Sequence, residues 1–112
     1  MEIQGTNISM IRGDSASIIV KCQKNNIDVP FVDGDIIYLT VKESVYTETK
    51  LLQKVVTDFT DGQAIIYINP EDTKSIKYGR KIYDVQLTRK DGRVSTIVPP
   101  SEFNILGEVT YE

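Results

Sequence analysis

Histidine is absent from this 112-residue chain, and with it go the usual neutral-pH general base, the Ser-His-Asp triad and every imidazole-based zinc site. A single cysteine, Cys22, excludes an internal disulfide and a multi-cysteine metal centre, and reads as a small apolar side chain. No apolar run approaches the roughly 18 residues of a membrane span. The opening Met-Glu-Ile-Gln-Gly-Thr has neither the basic start nor the apolar core of a secretory signal, so synthesis in a cytoplasm without a membrane partner is expected. Glycines are scattered singly among turns and build no phosphate loop. Thirteen basic against sixteen acidic residues give a net charge of -3. With no basic stripe to track a phosphate backbone, nucleic acid is not an expected partner.

What is present is the composition of an ordinary folded domain, with 40% hydrophobic and 26% charged residues. The length predicts one domain over residues 1–112, burying roughly two thirds of the surface its unfolded form exposes. Its hydrophobic pattern has period two almost throughout. Ile8 and Met10 open one strand. Ala16, Ile18, Val20 and Cys22 share a face of a second over 15–22, and Ile37, Leu39 and Val41 point inward from a third, with Tyr38, Thr40 and Lys42 outward. Strands are also predicted over 51–58, 63–69, 80–90 and 93–98, with turn signals near 13, 34, 62, 79, 92 and 100. Asp91-Gly92 predicts a tight hairpin. Pro99-Pro100 predicts a break before a last extended segment carrying Phe103, Ile105, Val109 and Tyr111. The sum is an all-β fold, expected as an immunoglobulin-like antiparallel β-sandwich of about seven to eight strands.

The run from Pro70 to Leu87 predicts a change of sheet. Pro70 ends one strand because it supplies no ladder N–H, a helical turn near Asp72 to Ser75 carries the chain across, and Tyr78-Gly79 redirects it into a strand with Tyr83, Val85 and Leu87 on one face. Tyr78, Gly79 and Tyr83 are therefore structural corner residues. Tyr83 is either a plain core aromatic or a buried phenol bonded to an upstream backbone group, as in a tyrosine corner.

Reactive constellations are few. Asp33, Asp35, Asp58, Asp61, Glu71 and Asp72 offer carboxylates for a glycosidase pair, yet each stands where a turn or cap favours an acid. Neither Asp33-Gly34-Asp35 nor Asp58-x-x-Asp61-Gly62 has the spacing of an EF-hand loop. Arg12-Gly13-Asp14 spells an integrin-type tripeptide, though Gly-Asp is also what a turn between strands uses. No catalytic residue, metal or cofactor is expected.

Four segments, Ile11-Arg-Gly-Asp-Ser-Ala-Ser-Ile-Ile-Val20, Asp33-Gly-Asp-Ile-Ile-Tyr-Leu-Thr-Val-Lys42, Tyr78-Gly-Arg-Lys-Ile-Tyr-Asp-Val-Gln-Leu87 and Gly92-Arg-Val-Ser-Thr-Ile-Val-Pro99, together resemble structural modules of phages and prophages of Gram-positive bacteria. The pattern is most similar to the immunoglobulin-like N-terminal domain of phage baseplate upper proteins. The resemblance implies a non-enzymatic tail- or baseplate-type virion protein that docks other phage structural proteins or further copies of itself. It transfers no catalytic residues. Baseplate upper proteins continue into a stalk and a receptor-facing part, whereas this chain stops at Glu112, so it is expected as a stand-alone relative or a shortened piece. Tyr38, Tyr67 and Tyr111, on outward or edge positions, are the candidate interface residues, since tyrosine is favoured at interfaces. A carbohydrate- or ligand-binding domain using the same tyrosines as a stacking platform is the alternative, and a glycan-cleaving enzyme a third reading.

Overall fold

The computed structural model describes residues 1–110, and its architecture is all-β with one short helix. Ten strands follow in order: β1 (Glu2–Gln4), β2 (Asn7–Ile11), β3 (Ala16–Val20), β4 (Cys22–Lys24), β5 (Ile27–Val29), β6 (Ile36–Lys42), β7 (Leu52–Val56), β8 (Ala64–Ile68), then helix α1 (Pro70–Lys74), β9 (Gly79–Thr88) and β10 (Val94–Leu106). Six strands form one sheet in the order β1-β2-β10-β9-β6-β7. Strands β3 and β8 form a second, and β4-β5 is a separate hairpin.

The two main sheets enclose a single core. Ile8, Met10, Ile37, Leu39, Val41, Tyr83, Val85, Leu87, Phe103 and Ile105 are buried from the large sheet, and Ile18, Val20, Ala64, Ile66 and Ile68 from the small one. Burying each aliphatic side chain contributes about 1.5–3 kcal/mol. A one-residue slip of β6 would turn Ile37, Leu39 and Val41 outward together, so their alternation pins the register.

The chain does change sheets between Pro70 and Leu87. β8 lies in the small sheet and β9 in the large one, with α1 between them. Pro70 opens the helix, where its missing N–H is no loss. The Asn69 N–H donates to the Asp72 carboxylate at 2.7 Å, and the Asp72 N–H returns to the Asn69 carbonyl. Gly79 then turns at φ +126, a conformation few residues with a Cβ adopt. Gly62 is required more strictly, because a Cβ there would lie 2.6 Å from Pro30 Cβ.

Four expectations are corrected. The sheet is not wholly antiparallel, because β2 runs parallel to β10. Alternation specifies which face a side chain takes, not which way a neighbouring strand runs. The count among the described residues is ten rather than seven or eight, because β1 folds back on β2 and the predicted strand 15–22 breaks at Lys21, releasing β4 to pair with β5. Pro99-Pro100 does not end a strand. β10 runs through both prolines, with the ladder shifting between Val98 and Ser101 so that the pair forms a bulge. The last strand ends at Leu106, and Val109 is outside it.

Candidate functional site

Inward residues alternate with outward ones, so the core-facing Tyr83 and Val85 leave Asp84 and Gln86 on the outer face of the large sheet. Pairing sets Gln86 opposite Tyr38 and Asp84 opposite Thr40. On the other side of β6, Gln53 stands opposite Thr40. The bulge completes the geometry. Val98 pairs with Val85 and Ser101 with Tyr83, so Pro99 and Pro100 together oppose Asp84. Proline has no N–H to close that part of the ladder. A cleft of about 440 Å³ opens here, lined by Tyr38, Thr40, Gln53, Asp84 and Gln86, with Lys42 and Lys50 also along it. Its volume lies within the roughly 300–1,000 Å³ usual for small-molecule sites.

Among the described residues Asp84 is the only carboxylate in that lining, where glycoside hydrolysis uses a pair. It is half-buried and makes no hydrogen bond or ion pair with any described residue. Desolvation pushes its pKa up from the ordinary aspartate value, against a smaller downward pull from the Lys42 charge. The neighbouring polar groups are tethered: the Gln53 amide donates to Thr40 Oγ1 at 3.1 Å, and Lys50 Nζ reaches Gln53 Oε1 at 3.5 Å.

Tyr38 and Tyr67 do not share a surface. Tyr38 lines the cleft, whereas Tyr67 projects from the small sheet on the opposite side of the core, 60% exposed and paired with Ser17, on the same outward face as Ile19, which is 65% exposed. Tyr111 lies outside the described residues. At the corner, the Tyr83 hydroxyl donates to the Thr6 carbonyl at 2.5 Å. The acceptor sits in the β1-β2 turn, far upstream in sequence, and Thr6 Oγ1 meets Ser101 Oγ at 2.7 Å. Burial raises the Tyr83 pKa.

Tyr78 belongs to a different cluster. The Arg12 guanidinium lies 4.1 Å from its ring centroid and forks onto Glu108, with Nη2 at 2.9 Å and Nε at 3.2 Å from the two oxygens. Tyr78 also donates to Glu108, whose pKa is lowered by Arg12 first and then by Tyr78. Arg12 is thus folded against the protein, an arrangement opposed to display of Arg12-Gly13-Asp14 as an extended adhesion loop.

Two of the acidic turn residues, Asp35 and Asp72, serve the fold. Asp35, 1% exposed, accepts from the Val32 N–H at 3.0 Å, from Arg89 Nη1 at 2.7 Å and from the Lys90 N–H at 3.3 Å. Asp72 binds Lys54 at 2.7 Å in addition to its cap contact. Among the described residues, no three His, Cys, Asp or Glu side chains converge as a metal site. Asp84 and Gln86 were missed as candidates although alternation around Tyr83 and Val85 puts them outward. Their convergence with Tyr38 depends on the β6-β9 pairing, which no local pattern reveals.

The fold therefore defines an all-β, sandwich-like domain with a cleft of mixed polar and apolar lining on one layer and an apolar strip on the other. A scan against protein-family models and a search of curated proteins each give no match.

Proposed function

We propose that this domain is a non-enzymatic structural module of a phage or prophage particle, of tail or baseplate type and immunoglobulin-like kinship, that docks a neighbouring subunit through its small sheet. The observation that carries this reading is the small sheet itself. Among the described residues it has only β3 and β8, so each strand has one lateral edge to which no further described strand is hydrogen-bonded. Ile19, Ile65 and Tyr67 occupy its outward row. Unpaired backbone groups beside exposed apolar side chains suit addition of a strand from another chain, in which main-chain bonds supply affinity and side-chain contacts supply selectivity. The occupant is an extended segment of an adjacent structural protein in the same particle, and Tyr67 is the interface residue.

Light scattering of the purified chain, alone and mixed with the products of adjacent genes, tests the proposal. A complex that weakens on Ile19→Lys or Tyr67→Ala is expected. A chain that stays monomeric and ignores every such product overturns it.

A further inference from the structure

We infer that the cleft over Asp84 is a binding site for a neutral glycan, on the face opposite the docking strip and independent of it. Three features converge there. First, the Pro99-Pro100 bulge lies opposite Asp84, where an uninterrupted ladder would place a cross-strand neighbour. Bulges recur at sites where a side chain is re-aimed toward a ligand. Second, the Asp84 carboxylate is half-buried and makes no hydrogen bond or ion pair with a described residue, Lys42 acting on it only through its charge. A group in that position has acceptor capacity for an incoming donor. Third, the lining includes Gln86, Gln53 and Thr40, which both donate and accept, together with Tyr38 and the apolar Val45 and Ile82.

The chemistry of this lining selects among ligands. An isolated anion would meet the Asp84 carboxylate, and a cation would meet Lys42 and Lys50. An apolar molecule would strand carboxylate and amide groups without partners. A sugar satisfies all of them: each hydroxyl donates and accepts, adjacent hydroxyls match a carboxylate or amide, and the C–H face of the ring lies against an aromatic side chain. The volume of about 440 Å³ accommodates roughly two sugar rings. The Gln53-Thr40 bond holds part of the lining before a ligand arrives, which reduces the ordering cost of binding.

Amide NMR titration of the full chain with maltotriose, cellotriose and tri-N-acetylchitotriose tests the assignment, with sialyllactose and spermidine as charged comparators. At least one neutral trisaccharide is expected to shift resonances clustered at Tyr38, Asp84 and Gln86. Asp84→Ala should weaken that binding by roughly tenfold or more, the usual scale for losing a hydrogen bond to a charged group. Tyr67→Ala, on the other layer, should leave it unchanged, and a dispersed spectrum for each variant establishes that it is folded. No response to any neutral trisaccharide overturns the assignment, as do binding of only a charged comparator or shifts centred on Tyr67. Subunit docking is scored separately by light scattering, so either proposal can fail without the other.

Discussion

Replacing Asp35 with alanine is the most direct probe of how the β9-β10 hairpin is held to the rest of the sandwich. The carboxylate is 1% exposed and collects three donors, the N–H groups of Val32 and Lys90 and the Arg89 guanidinium. Removing it leaves Arg89 without its carboxylate, and loss of one member of a buried ion pair costs about 3–5 kcal/mol. The Arg89 side chain keeps 22% exposure, so water recovers part of its solvation and the lower figure of about 3 kcal/mol applies. At roughly 4 °C per kcal/mol for a domain of this size, Tm should fall by about 12 °C. The pH dependence gives a second check. Burial alone would raise the Asp35 pKa, but the Val32 bond, Arg89 and the Lys90 bond outweigh it and hold it below the ordinary value. A lowered folded-state pKa gives stability that is present above the unfolded value of about 3.9 and lost as pH falls through the folded one. Thermal scans of wild type and Asp35→Ala should therefore differ fully at neutral pH and converge in acid. A Tm change under about 2 °C at neutral pH, or a gap that does not shrink in acid, refutes the reasoning.

Two further substitutions test other parts of the structure. Tyr83→Phe keeps the edge-to-face contact with Phe103 but removes the bond to Thr6, and should lower stability by about 1 kcal/mol in urea unfolding with the m-value unchanged. An unchanged midpoint would mean that the hydroxyl bond is worth nothing. Asp84→Asn should raise Tm at neutral pH by an amount corresponding to roughly 0.5–2 kcal/mol. Its folded-state pKa is raised, so the Asp84 contribution is fully present below the unfolded value and lost as pH rises through the folded one. The gain should disappear in acid, and a loss of stability at neutral pH would show that Asp84 serves the fold.

Strand positions were legible wherever one face is buried and the other is not. Ile37, Leu39 and Val41 against Tyr38, Thr40 and Lys42 announce β6 and its inward face, and β6 is the strand observed there. The corner was legible because Pro70 and Gly79 act on their own backbone, with no help from tertiary contacts. Pairing was not. The parallel contact of β2 with β10 joins Ile8 to Phe103 across nearly the whole chain, and neither segment carries a mark of the other. The misreading of Pro99-Pro100 has a similar source. A proline lacks a donor, but that interrupts a strand only where the ladder needs the donor, and a bulge places both residues where it does not.

The tyrosines show what this limit means for a functional site. Tyr38 and Tyr67 are both outward residues of buried-core strands, and a pattern of alternation makes them equivalent. Their sheets pack face to face, so outward from β6 and outward from β8 are opposite directions in the molecule. A single chain therefore cannot bring both rings onto one sugar or one partner strand. A reading that needs Tyr38 and Tyr67 on one platform fails for one copy, while readings that give each layer its own ligand survive. Polar Asp84, Gln86 and Gln53 accompany Tyr38, whereas apolar Ile19 and Ile65 accompany Tyr67. The companions, not the tyrosines, are what favour the two proposals, a hydroxyl-rich ligand on the large sheet and a protein strand on the small one.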